Sequence, residues 1–373
     1  MIVAACGADE PVTEGEDAAD PAEESPADEP DAAPDGDPVN LTATSGVSAE
    51  HAWNVGFVEP WLADIEDATG GLVTADFFPG GELVALGQEY EPLTAGTIDW
   101  AFPMNVLYDP TRFPLSEVSM LPLVESDGYI AGDAYWDLIM SDEEFHDGMS
   151  FREYEYERRG FKVWPMPPTD VYVLSTIEPV ESLSDLEGMA IRGSSRLHEM
   201  FVANWGATPT AIPSPELFDA LSRGALDGTL FSVPDWTGYG FEELFKFSIE
   251  GLSIGNFTAV ATMTQEQWDS LPEYAQEAID ATFEENYFRG VEEWMSRMDE
   301  NRELYLENGG VFVDIADADP ALRDAAEAAI NDTWFDWIEE LESSGEPGEK
   351  MARLWRDLLI EHGATVPDAV IDL

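Results

Sequence analysis

The chain has 373 residues, with 78 acidic against 16 basic side chains, a net charge of −62 and one cysteine, Cys6. That length suffices for two lobes with separate cores. The charge argues against nucleic-acid binding and against adsorption to anionic lipid, and a lone cysteine excludes an internal disulfide and a four-cysteine zinc site.

Only Lys162, Lys246 and Lys350 are lysines. Abundant acid with scarce Lys fits a protein that works in high salt, where the Debye length shrinks to about 3 Å at 1 M and self-repulsion is screened. An acidic secreted protein with no salt requirement is the plainer reading and stays beside it.

Val3-Ala4-Ala5-Cys6-Gly7 resembles a lipobox, the end of a bacterial lipoprotein signal. Residues 1–6 are therefore expected to be the remainder of a signal cut short upstream, with Cys6 as the lipidated residue. Residues 7–38 are almost entirely Ala, Asp, Glu, Pro, Gly, Ser and Thr. Such a segment buries too little apolar surface to order itself and reads as an acidic tether. No later apolar run is long enough to span a bilayer.

The folded part starts near Val39. Val39 to Thr44 predicts a strand, and a helix carrying Trp53, Phe57, Trp61 and Ile65 follows His51. Leu72 to Phe78 predicts a strand, Leu83, Leu86, Tyr90 and Leu93 a helix, and Thr97 to Pro103 another strand. This is βαβαβ, a parallel sheet with helices on its faces. Phe161 to Pro167 and Val171 to Thr176 are further strands, and Pro165, Pro167 and Pro168 stiffen the crossing between them.

The same grammar repeats from Ser182 to Asp235. Met189 to Ile191 is a short strand ending at Arg192; Ser194 or Ser195 caps a helix that Gly206 stops. Thr208 to Ile212 is a strand, Pro215 starts a helix that Gly224 ends, and Asp227–Gly228 opens a third strand. Ligands of such sheets sit beyond the carboxyl ends of the strands, where Arg192, Phe231 and Trp236 fall. Further on, strands are expected near 246–249 and 254–262. Leu271, Ala275, Ile279, Phe283, Tyr287, Val291, Trp294 and Met298 then recur at three- and four-residue steps. They predict one helix to about Asn308, on the order of 55 Å long. It bridges two lobes or, in a rival reading, forms a coiled-coil dimer. Pro320 to His362 predicts one or two packing helices.

The run Asp185-Leu186-Glu187-Gly188-Met189-Ala190-Ile191-Arg192-Gly193, followed by Ala220-Leu221-Ser222-Arg223-Gly224-Ala225-Leu226-Asp227-Gly228, resembles the second lobe of the DctP-type solute-binding proteins of TRAP transporters. Phe78-Pro79-Gly80-Gly81 and Gln265 to Pro272 resemble other parts of that family. The resemblance implies an α/β fold of two doubly wound lobes of periplasmic-binding-protein type, joined by hinge strands and a long bridging helix. Lobe I is expected over 39–169 plus about 250–285, and lobe II over 170–249 plus about 286–373. It implies that Arg192 grips a substrate carboxylate, and it places His51 beside the substrate. Sialic-acid-type members carry a second Arg near Trp164 to Tyr172; this chain has Asp170 there.

The expected function is therefore extracytoplasmic capture of a small organic acid by lobe closure and delivery to the membrane subunits of a TRAP transporter, with no cofactor, no metal and membrane contact only through the lipid anchor. Asn105, Tyr108 and Ser194 are expected to supply polar contacts, and Trp164, Phe231 and Trp236 aromatic walls. The reading carries no catalytic residue: a phosphate-binding Gly-rich fingerprint, an H-E-x-x-H pair and a G-x-S-x-G elbow are all missing. Three alternatives stay open: the receptor of an ATP-driven importer, a sensor lipoprotein for a neutral or cationic solute, and a hydrolase on the same scaffold.

Overall fold

The structure is a computed structural model and describes residues 36–373. The expected lipidation site Cys6 and all but the last three residues of the tether lie outside them.

Two sheets organise the chain. The first contains β1 (Val39–Thr44), β2 (Val73–Phe78), β3 (Trp100–Met104), β4 (Phe161–Pro165) and β10 (Val260–Thr264) in the order β2-β1-β3-β10-β4. The second contains β5 (Tyr172–Thr176), β6 (Ala190–Gly193), β7 (Thr208–Ala211), β8 (Gly228–Ser232), β9 (Phe247–Glu250) and β11 (Val311–Asp314) in the order β11-β9-β5-β8-β6-β7. Each sheet has a parallel trio, β2-β1-β3 and β7-β6-β8. Each then admits one antiparallel strand, β10 beside β3 and β5 beside β8. The two lobes thus repeat one topology, and in each the antiparallel strand is the one that follows a crossing of the hinge.

The two crossings run side by side. The Met166 N–H donates to the Ala259 carbonyl at 2.9 Å, Thr169 N–H to Phe257 at 3.0 Å and Tyr172 N–H to Gly255 at 3.1 Å. Pro165, Pro167 and Pro168 lack an N–H, so only the residues between and after them can pair. Gly255 has φ +68°, and a Cβ there would stand 2.6 Å from the Met120 backbone. Only glycine fits that bend.

Three expectations change. The helix predicted over Leu83 to Leu93 shrinks to Tyr90–Thr94, because Gly87 turns left-handed at φ 82° and donates its N–H to the Glu89 carboxylate. The helix from Trp53 begins as a wide π turn, Asn54–Val58, ahead of Glu59–Ala68. Pro60 has no N–H to give to the preceding turn, and the ladder widens there. The long helix is Glu273–Ser296, about 36 Å at 1.5 Å per residue. Arg297 leaves helical ψ, its carbonyl accepting from the Asn301 side chain at 2.8 Å, and a second piece runs Met298–Glu307.

The long helix packs on the first lobe well past residue 285. The Asn286 amide donates to Asp64 at 2.8 Å, and the Tyr287 hydroxyl donates to the Gly132 carbonyl at 2.8 Å. The piece after Arg297 packs on the second lobe beyond β8, where Asn301 accepts from the Thr237 N–H at 2.8 Å. The helix Pro320–Ser344 lies on Arg196–Trp205 of the second lobe. Gly348–Glu361, expected with lobe II, packs on that helix and also on Gly128–Met140, where His362 meets Asp137 at 2.7 Å. One apolar core runs through both sheets, and a smaller one around Leu217, Trp236, Phe241 and Tyr305 backs the second. No helix among the described residues is long and apolar enough to cross a membrane.

Candidate functional site

The parallel strands point their carboxyl ends at one gap. From the first lobe, His51 and Trp53 follow β1, and Asn105 and Tyr108 follow β3. From the second, Arg192 lies in β6, Phe231 in β8, and Asp235 and Tyr239 just beyond it. These eight side chains line a narrow inner chamber. Thr169, Tyr172 and Phe257 of the paired crossings form its floor, so the hinge is part of the site. A wider outer chamber opens beside it, bounded by Tyr108, Ser194, Ser195, Arg196 and Glu199.

Arg192 decides the character of the inner chamber. Its side chain is 1% exposed. Nε donates to the Ile212 carbonyl at 2.9 Å, and the guanidinium carbon stands 5.5 Å from the Phe231 ring centre. Its Nη1 is buried without a hydrogen-bond partner, and no carboxylate among the described residues lies within 4.0 Å. A buried charge held this way costs several kcal/mol unless something pairs with it.

Asn105 is equally open. Both side-chain amide atoms are buried and unpaired. Its backbone is fixed, the N–H donating to Glu89 Oε2 at 3.3 Å. Burial raises the Glu89 carboxyl to about 7, against the lowering pull of its backbone donors. Rings close the chamber: Phe231 stacks on Tyr172 at 5.7 Å, and His51 meets Trp53 at 5.1 Å and Trp294 edge-on at 5.3 Å.

The chain matches bacterial extracellular solute-binding protein, family 7 (DctP), over residues 44–339. It belongs to that family. A solute-binding protein of Albidiferax ferrireducens is 23% identical over 195 residues, 51% of this chain and 53% of that one. The C4-dicarboxylate-binding periplasmic protein DctP of Rhodobacter capsulatus is 24% identical over 238 residues, 61% of this chain and 66% of the relative. The matched regions thus span between about half and two thirds of those relatives' lengths. A TRAP solute-binding protein from an unidentified marine microbe, crystallised with 3-hydroxybenzoate, superposes with a TM-score of 0.77 at 21% identity, covering 88% of this chain and 100% of that one. The two-lobe architecture of this family 7 member is thereby the fold of the TRAP binding proteins.

Of the residues singled out in the sequence, Arg192, His51, Asn105, Tyr108 and Phe231 meet in the inner chamber. Ser194 lies in the outer one, and its role changes. The Ile254 carbonyl accepts a hydrogen bond from His198 Nε2–H at 2.7 Å, so Nδ1 accepts from the Ser194 hydroxyl at 2.9 Å. Burial holds His198 down to about 3, with Arg192 acting in the same direction. Ser194 therefore has its proton committed to a neutral imidazole and offers a solute only lone pairs.

Two expected walls are core instead. Trp164 sits inside β4 among Trp61, Trp100 and Trp268, its Nε1 donating to Asp280 at 2.9 Å. Trp236 points into the smaller core against Tyr305, Phe245 and Phe312. Trp53, Tyr172, Asp235 and Tyr239 went unremarked as contacts. The signal for Asp235 was present: it follows a parallel strand, as Arg192 ends one.

Proposed function

We propose that this protein captures a small organic carboxylate between its lobes and delivers it to the membrane subunits of a TRAP-type transporter. The observation that carries the reading is the buried, carboxylate-free Arg192 guanidinium at the tip of β6, with Nη1 unpaired in the chamber. A ligand carboxylate supplies a charge-assisted partner in a site without bulk water, where such a pair is strong. Asn105 adds a second polar anchor, and Phe231, Tyr172 and Trp53 pack on the remainder. The marine relative that is described as specific for aromatic acid ligands supports an organic acid, and the DctP relative's name supports a carboxylate. We place the protein outside the cytoplasm, held by a lipid on Cys6, and working in concentrated salt. It binds rather than transforms its solute.

Thermal-shift and calorimetric titration with benzoate, succinate, pyroglutamate and glucose tests the reading, alongside mass spectrometry of solute carried through purification. At least one carboxylate is expected to raise the melting temperature. Stabilisation by glucose alone, with no response to any acid, would overturn it.

A further inference from the structure

Carboxylate capture leaves Asp235 unused. It lines the same inner chamber as Arg192, is 5% exposed, and its Oδ1 is buried with no hydrogen-bond partner. His51 of the first lobe is the basic group beside it: Nε2 stands 3.4 Å from Oδ1, without the alignment of a hydrogen bond. The other imidazole nitrogen is already engaged. The backbone N–H of Trp53 donates to His51 Nδ1 at 3.2 Å, so Nδ1 keeps its lone pair and the single proton sits on Nε2. No hydrogen bond ties that ring to the Asp235 carboxylate. The Tyr239 phenol offers little more, since it already donates to Ser214 at 3.3 Å. The chamber therefore holds one positive group and one negative group, each without a protein counter-charge hydrogen-bonded to it.

A plain anion satisfies Arg192 but adds a second negative charge next to a buried, unpaired Asp235. A plain cation does the reverse. Either leaves one desolvated charge uncompensated when the lobes shut, which is the costly state. A zwitterion leaves none. It also carries no net charge, so the field of a −62 chain does not oppose its approach.

We infer that the inner chamber is built for a compact zwitterion, one whose carboxylate pairs with Arg192 and whose protonated nitrogen donates to Asp235, with a ring or short apolar body against Phe231 and Trp53. This rests on the carboxylate reading above and narrows its substrate class.

Cyclohexanecarboxylate and the three piperidine carboxylic acids, with nitrogen at ring position 2, 3 or 4, are near-isosteric and differ in the charged nitrogen and its distance from the carboxylate. Calorimetry with the full chain at fixed salt compares them. At least one piperidine acid is expected to bind on the order of tenfold to a hundredfold more tightly than cyclohexanecarboxylate. In Asp235→Asn that margin disappears, while cyclohexanecarboxylate binds as well as before or better; a purely structural role for Asp235 would weaken both alike. Native protein that binds cyclohexanecarboxylate, or any acid of the thermal-shift panel, more tightly than all three piperidine acids overturns the zwitterion class and leaves Arg192 as a carboxylate anchor. Failure of every carboxylate, zwitterionic or not, overturns both readings. The comparison on native protein stands even where Asp235→Asn does not fold.

Discussion

Arg192→Gln separates a ligand anchor from a structural ion pair, because the two roles move stability and affinity in opposite ways. In the unliganded protein the guanidinium makes one good hydrogen bond, to Ile212 at 2.9 Å, and one ring contact, to Phe231 at 5.5 Å. Together these contribute about 2 kcal/mol. Against them stands a buried charge with Nη1 unpaired, costing at least as much. Removing the charge is therefore close to neutral, and the unliganded melting temperature is expected to stay within about 2 °C of native or to rise. Binding behaves differently. Taking one partner from a buried charge pair costs about 3 kcal/mol, or roughly two orders of magnitude in Kd. Calorimetry with whichever carboxylate binds the native protein, paired with thermal melts of both proteins, reads the two quantities. A melting temperature more than about 5 °C lower, with affinity unchanged, would refute the reasoning and make Arg192 a structural residue.

Glu89→Gln should flatten the dependence of stability on pH. The folded carboxyl lies at about 7, above the ordinary 4.5, so its stabilisation is complete below about 4.5 and is lost as pH rises through about 7. Melts between pH 4 and 8 check this, and parallel curves for the two proteins would count against a buried, protonated Glu89. Trp164→Phe loses the bond to Asp280 and is expected to cost about 1 kcal/mol of stability with no change in affinity; a tenfold weaker Kd would return it to the site. Melting temperature should climb by several degrees between 0.1 and 2 M NaCl as self-repulsion among 78 acids is screened. A flat profile would favour an acidic protein with no salt requirement.

Much of the site could be read from position. His51, Asn105, Tyr108, Arg192 and Phe231 all lie at or just past the ends of parallel strands, and the alternation of strands and capped helices reveals where those ends are. Trp164 could not be read that way. β4 is buried at every position but Lys162, so alternation does not say which face meets the gap. Trp236 failed for a different reason: Val233–Asp235 is a tight 3₁₀ turn, and its phase decides that Asp235 faces the chamber while its neighbour faces the core. The helix expected over Leu83 to Leu93 had a suitable apolar stripe, yet one left-handed glycine outweighs it. The final helices are amphipathic, but an apolar stripe does not name what it covers, and Gly348–Glu361 packs on Gly128–Met140 as well as on Pro320–Ser344.

The late place of β10 in the chain governs how the molecule can be made and cut. β10 lies between β3 and β4, yet it is synthesised only after β5 to β9. A chain stopped after β9 leaves the first sheet split down its middle, with β3 and β4 each showing an unpaired edge. Neither half can be expressed as a self-sufficient piece by severing the chain at one point, and a nick in either crossing removes from one sheet a strand that the other half still holds. Both sheets are therefore complete only once the chain beyond β9, which supplies β10 to the first and β11 to the second, has been made.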